Sequence, residues 1–238
     1  RNRLTECMNV GRKALGIRLR SPSPAAIELC AGEDVDFVYL DCERGSFDLH
    51  DVEDACRAAE LAGFTVVTRV PQCDPGLIGR FLDAGVQGMI VPHISSAREA
   101  EAAVRACRYP PLGERAYASA RSNDYLRHTK DFARHFAESN ANVTLSVQLE
   151  DVDAWKNVAA IAAVGGITYF TIGKHDLTAS MGLIRQPEGF PDEVKAAVAE
   201  MEATIRRQGG KLKDDVMTVG HVEQFILTGV RSLRASIQ

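Results

Sequence analysis

Residues 144–177 read TLSVQLEDVDAWKNVAAIAAVGGITYFTIGKHDL. Two apolar runs, Leu145–Leu149 and Ile167–Ile172, enclose a segment, Val152–Val164, whose Val152, Trp155, Val158, Ala159 and Ala162 share one face at helical spacing. A strand, a helix and a second strand in this order make one parallel crossover unit. Both strands of such a unit run the same way. Glu150, directly after the first run, and Asp176, a short turn after the second, therefore emerge at the same edge of the sheet. Two carboxylates placed together repel unless a cation lies between them, so the pair is a candidate divalent-metal site. The bland alternative is a pair of solvated helix caps, because acids are common at helix starts.

The same alternation extends through the chain in both directions. Further strand-like runs are Ala14–Leu19, Phe37–Leu40, Thr65–Val70, Gly88–Val91, a weak one at Gly210–Lys213, and Val230–Ser236. Between them the spacing predicts helices. One opens at Ser23-Pro24, and others cover Asp51–Ala62, Asp74 to Ala84, Ser95–Cys107, Lys130–Glu138, Pro191–Gln208 and Val219–Leu227. A long irregular stretch, RYPPLGERAYASARSNDY, interrupts the pattern; loops of this length in compact domains tend to be functional or mobile. Eight strand-and-helix repeats predict a single-domain (β/α)8 TIM barrel spanning residues 1–238 rather than a doubly wound sheet. No strand is followed by a GxGxxG fingerprint, which argues against dinucleotide binding.

Composition sets the outer limits. The chain has 238 residues, 45% hydrophobic and 25% charged, with a net charge of −4. Length and apolar content suffice for one large core, and the charge offers no basic field for nucleic acid. No apolar run approaches the roughly 18 residues of a membrane span. Arg1–Val10 is polar and charged, unlike a signal peptide, and the absence of an initiator Met suggests trimming. Six cysteines form no CxxC pair and read as reduced core thiols of a cytoplasmic protein.

In a barrel of this kind the active site lies at the C-terminal strand ends. The expected residues there are Arg18, Arg20, Asp41 to Arg44, Arg69, Pro92-His93, Gln148, Glu150 and Gly173 to Asp176. So polar a set of strand ends points to an enzyme.

These residues resemble the HpcH/HpaI aldolase family of metal-dependent pyruvate aldolases, to which macrophomate synthase is related. The resemblance is carried by LDCERGSFD, VVTRVP, LDAGVQGMIVPHISSAREAEAAVRACRYPPLGER, SVQLED and FTIGKHDL, and runs from about Leu15 to the chain end. It implies Glu150 and Asp176 as metal ligands with Gln148 beside them. It implies Arg69 as the group that holds the keto acid and steadies its enolate, and Asp41 and Glu43 as the acidic pair after the second strand. It further implies Asp83 as a supporting aspartate, and the Gly173–Asp176 backbone as the receiver of the substrate carboxylate. A homo-oligomer, a trimer or hexamer, is expected on the same ground.

The departures are specific. Where the family pattern reads D-x-E-H, this chain has Arg44 in place of the histidine, and arginine stays protonated at any working pH. The usual G-P-A-D turn reads Gly173-Lys174-His175-Asp176, and an aromatic of the first strand is Arg18. A helix expected after the eighth strand is absent from this reading. His175, beside Asp176, is the favoured replacement base, with His93 as the second candidate. Arg18, Arg44, Arg69, Lys174 and His175 together make a basic mouth, so a 2-keto acid with a further anionic group is the expected substrate. Arg44 and Arg69 each have a structural alternative, pairing with nearby acids.

Oxygen ligands favour Mg2+, with Mn2+ or Co2+ as alternatives, over zinc. The expected reaction is carbon–carbon cleavage or formation through a pyruvate-type enolate. A decarboxylase, a macrophomate synthase-like enzyme and a non-catalytic keto-acid-binding protein remain open as alternatives.

Overall fold

A computed structural model describes residues 1–237. Seven strands, all parallel where they pair, form one sheet: β1 Ala14–Leu19, β2 Phe37–Asp41, β3 Thr65–Arg69, β4 Gly88–Val91, β5 Thr144–Leu149, β6 Tyr169–Ile172 and β7 Met217–His221. Their order is β6-β5-β4-β3-β2-β1-β7. The helices are α1 Arg3–Asn9, α2 Pro24–Leu29, α3 Leu49–Ala62, α4 Pro75–Ala84, α5 Ala97–Cys107, α6 Phe132–Asn142, α7 Val152–Lys156, α8 Val158–Ala162, α9 Lys174–Ser180, α10 Asp192–Arg207, α11 Lys213–Val216 and α12 Val222–Ala235.

Local chemistry explains most of the boundaries. Ser23, Asp48, Asp74 and Ser96 each cap the helix that follows by accepting a backbone N–H. Gly63 and Gly85 end α3 and α4 in the left-handed conformation, with φ of 77° and 113°. The predicted helix over Val152–Val164 is split in two at Asn157.

Strand alternation builds two apolar layers. Val38, Leu40, Val66, Met89, Val91, Val147 and Leu149 face outward into the core shared with the helices. Phe37, Tyr39, Val67, Ile90 and Tyr169 face inward and pack with Leu4 and Cys7 of α1. Side chains from β2 and β6, which are not neighbours, meet in that inner cluster. The sheet is therefore curled, and α1 contributes to the filling inside the curl. Gly16 makes room for this layer, since a Cβ there would lie 2.3 Å from the Phe37 ring. The sheet is a TIM-barrel-like α/β fold.

The C-terminal part differs from the sequence expectation in three ways. The expected strand Gly210–Lys213 is reduced to one parallel bridge, Leu212 to Phe170 of β6. Val219–His221, expected to begin a helix, instead ends the strand Met217–His221 that pairs with β1. Val230–Ser236, expected as the eighth strand, is the second half of α12. The reason is periodicity: Val222, Phe225, Ile226, Val230 and Leu233 recur at helical rather than alternating spacing. A helix does follow the last strand, contrary to the expectation that it is absent. Phe225, Ile226, Val230 and Leu233 are exposed on it.

Candidate active site

Inward parity on β2 and β3 ends on Asp41 and Arg69, which are register partners. Arg69 donates from Nε to Asp41 Oδ1 at 3.0 Å and from Nη2 to both Asp41 oxygens at 2.8 and 2.9 Å. Arg18, from β1, donates to the other side of the same carboxylate. Burial alone would push the Asp41 carboxyl up; the hydrogen bonds from Arg18 and Arg69 outweigh it and hold it below its ordinary range. Arg69 Nη1 lies 2.8 Å from Glu43 Oε2, yet that oxygen has no aligned hydrogen bond. Nη1 is thus the Arg69 nitrogen not bonded to Asp41, paired by charge with Glu43.

Across the cavity, β5 carries Gln148 inward and delivers Glu150 at its end. The Glu150 side chain is fully buried, and among the described residues no arginine or lysine pairs with it. Its Oε1 accepts the His93 backbone N–H at 2.9 Å, and its Oε2 accepts the Gln148 amide. Burial raises its pKa, with these donors opposing. His93 has φ 56°, uncommon for a residue with a Cβ, and this turn aims its N–H at Glu150. The His93 ring lies between two acids, Nδ1 at 3.2 Å from Glu150 and Nε2 at 3.5 Å from Glu43. Gly173 lets the chain after β6 pass this carboxylate: a Cβ there would lie 2.4 Å from Glu150 Oε2.

Asp176 stands in the first turn of α9 and is half-buried. Arg44 reaches it from the turn after β2, with Nη2 at 3.1 and 3.0 Å from its two oxygens, while Arg44 Nε lies 3.0 Å from Glu43. Arg18, Arg44, Arg69, Gln148, Glu150 and Asp176 border one cavity of about 560 Å³. Gly173, Lys174 and His175 border it too. A second cavity, about 360 Å³, lies by Thr65, Gln87 and Val143 at the opposite strand ends and contains none of the predicted residues.

The match to known proteins decides the family. Residues 15–236 fit the HpcH/HpaI aldolase/citrate lyase family model. The chain belongs to the HpcH/HpaI aldolase/citrate lyase family. It is 33% identical over 240 residues to the 4-hydroxy-2-oxovalerate aldolase of Novosphingobium aromaticivorans, covering 99% of this chain and 88% of that one. It is 35% identical over 208 residues to the hydroxypyruvate/pyruvate aldolase of Pseudomonas aeruginosa, covering 87% and 76%. The crystal structure of an HpcH/HpaI aldolase/citrate lyase family protein from Burkholderia cenocepacia J2315 superposes with a TM-score of 0.87 at 26% identity, covering 100% of this chain and 99% of that one.

In this HpcH/HpaI family member, Asp41, Glu43 and His93 stand behind the cavity lining in contact with Arg69, Arg44 and Glu150, whereas Asp83 is remote from it. Asp83 sits on α4 and accepts from Arg115 at 2.8 Å. His175 is exposed and packs edge-on against Phe190, with ring centroids 5.0 Å apart. His93, not His175, is the histidine held among the acids. Among the ionisable cavity residues, three escape the strand-end reading: Tyr39, Lys213 and His221. Tyr39 carried a signal, its inward parity two residues before Asp41. Lys213 and His221 were hidden by the misassigned C-terminal elements.

No cluster of three or more His, Cys, Asp or Glu side chains suited to a metal occurs among the described residues. The donor set is two carboxylates, Glu150 and Asp176. A buried carboxylate without a fixed cationic partner, cradled by a glycine that permits its approach, fits an oxygen-preferring divalent cation. No helix among the described residues is long and apolar enough to cross a membrane.

Proposed function

We propose that this chain is a divalent-metal-dependent lyase that cleaves a 4-hydroxy-2-keto acid to a pyruvate-type enolate and an aldehyde, or runs the reverse addition. The observation that carries the reading is the meeting of Glu150, Asp176, Gln148 and Arg69 around one cavity at the strand ends. Glu150 and Asp176 would hold the metal, Mg2+ by preference, with Mn2+ and Co2+ as alternatives. When bound, such an ion polarises the keto oxygen and offsets the charge that develops there.

The chain's own groups account for the remaining needs. Arg69 would offer Nη1 to the developing oxyanion while Asp41 fixes its plane. The α9 start, Gly173 to Asp176, offers backbone N–H groups for the substrate carboxylate. His93, beside Glu43 and Glu150, would take the C4 hydroxyl proton as the C3–C4 bond breaks and its electron pair moves into the enolate. A proton then returns to C3 to give pyruvate. Arg44 cannot accept a proton; its reading here is charge placement beside Asp176, with Lys174 and His175 at the cavity edge as substrate contacts.

Asp83 lies on the outer wall of its own chain, so it would reach a cavity only across a contact between copies. That placement and the exposed apolar residues of α12 support a homo-oligomer, a trimer or hexamer. The finer fold assignment, a closed (β/α)8 barrel in one domain, belongs with this reading and is supported by the Leu212 bridge on the free side of β6.

The test is pyruvate release from a 4-hydroxy-2-keto acid with Mg2+, followed with a coupled dehydrogenase. Metal-dependent release that is lost in Glu150→Gln supports the reading; release that persists without metal or without Glu150 overturns it. The absence of the family histidine favours one second reading, decarboxylation of oxaloacetate. That reaction needs no hydroxyl proton removed, and oxaloacetate turnover without 4-hydroxy-2-keto acid turnover would select it. Tight keto-acid binding with neither turnover would identify a binding protein.

A further inference from the structure

The arginines at the cavity are largely engaged by acids. Arg18 and Arg69 converge on Asp41, and Arg44 bridges Glu43 and Asp176. Arg20 stands farther off, with Nε 3.7 Å from Asp41. Lys213 is different. It borders the same cavity, is partly buried, and among the described residues has no carboxylate in ion-pair range and no side-chain hydrogen bond. It follows Leu212, whose bridge to β6 places it between β6 and β7, across from the Arg69 side of the ring of strand ends.

Its surroundings set two arginines, Arg18 and Arg69, against one carboxylate, Asp214. Burial lowers the Lys213 pKa, and Arg18 and Arg69 lower it further against the opposing pull of Asp214. His221, the register partner of Arg18, borders the cavity beside it. Burial lowers the His221 pKa as well, followed by the charges of Arg18 and Lys213. A partly desolvated ammonium facing other cations is an unfavourable arrangement by itself. An anion bound in the cavity relieves it.

We propose that Lys213, with His221 and the cavity-facing edge of Arg18, forms a second anion subsite, which selects 2-keto acids carrying a further carboxylate or phosphate at the end remote from the keto group. The assignment rests on the keto-acid reading of the preceding subsection and adds the residue that sets the tail chemistry. The keto-acid end belongs at Arg69, Gln148 and Glu150; the tail runs toward the gap between β6 and β7. A cavity of about 560 Å³ has room for both ends. A single ammonium reads charge rather than shape, so carboxylate and phosphate tails share the subsite.

The test reads binding, so it does not depend on turnover. Calorimetric titration in Mg2+ or Mn2+ compares 2-oxoadipate, with an anionic tail, against 2-oxohexanoate, of similar length and neutral tail. The wild type should prefer the dianion, and Lys213→Gln should shrink that preference about tenfold. Lys213→Arg should restore it, which a purely structural role would not do. A phosphate-tailed 2-keto acid run in parallel shows which anion is preferred.

A wild type without preference overturns the proposal, and so does a preference that survives Lys213→Gln within twofold. Equal weakening of both ligands also overturns it. So does a 2-keto acid adduct on Lys213 after borohydride reduction, detected by mass spectrometry, because the amine would then be a nucleophile. Failure of the underlying function appears separately, as no pyruvate release from any tail while the binding preference is intact.

Discussion

Arg44 caps the Asp176 carboxylate with a single guanidinium nitrogen, 3.1 and 3.0 Å from its two oxygens. The same carboxylate is one of the two oxygen donors proposed for the metal. Arginine and cation would then compete for Asp176. Both side chains are more than a third exposed, so the pair is screened and worth up to about 1 kcal/mol. Removing the guanidinium in Arg44→Met should tighten Mn2+ binding by roughly fivefold or less. Titration followed by electron paramagnetic resonance reads this directly. Unchanged or weaker affinity in the variant would show that Arg44 helps hold the ion rather than opposing it.

Glu150→Gln makes a second prediction, because burial and function pull on Glu150 in opposite directions. Its side chain is fully buried, and burial raises its pKa. The ionised form needed for a metal thus costs the metal-free fold something at neutral pH. The nearly isosteric amide keeps the bond from the His93 N–H, keeps the Gln148 contact once the Gln148 amide turns over to accept, and removes that cost. Melting without metal should occur at the same temperature or slightly higher. The rise in Tm that the wild type shows on adding Mg2+ or Mn2+ should vanish. A large loss of metal-free stability would mean the carboxylate is a structural anchor.

Much of this was legible because strand periodicity is so regular here. Once β2, β3 and β5 are placed, alternation alone puts Asp41, Arg69 and Gln148 inward, and Glu150 at the next step. Parallel direction then brings Asp176 to the same rim. Pairing of Arg44 with Glu43 was legible as its structural alternative, but the pair Arg44–Asp176 was not, since it joins residues far apart in sequence. Nor was the advantage of His93 over His175. It depends on a positive φ that sequence gives no reason to expect at a histidine. The C-terminal segment misled for a third reason. VRSLRAS is too short to separate alternation from helical spacing, and the error hid Lys213 and His221 from the site.

Arg69 carries the third prediction. Nε and Nη2 are engaged by Asp41, and Nη1 lies against Glu43. Arg69→Lys keeps the charge and loses the fork that fixes its direction. If Arg69 stabilises the enolate oxygen, kcat/KM should fall by about 3 kcal/mol, roughly a hundredfold, with most of the loss in kcat. A loss confined to KM would assign Arg69 to ground-state binding alone.

Far from the cavity, Asp36 ties three elements together and makes the stability of the fold depend on pH. Its buried carboxylate accepts from both Arg12 Nη groups at 2.8 Å and from the Leu15 N–H at 2.9 Å, with Arg3 at 3.0 Å. It thereby joins the end of α1 to the starts of β1 and β2. Burial alone would raise its pKa, but the hydrogen bonds from Arg12 and Leu15 prevail and hold it below the ordinary carboxylate value. A depressed carboxylate contributes stability that is fully present above the unfolded pKa of about 4 and is lost as pH falls through the folded value. Asp36→Asn should cost about 2 kcal/mol at neutral pH, since it removes the charge-assisted bonds while Arg12 and Arg3 stay partly solvated. Denaturant unfolding of both proteins from pH 7 down to pH 3 should show the gap narrowing below about pH 4, because only the wild type loses this contribution. A gap that stays constant over that range would place the stabilisation in packing around the side chain rather than in its charge.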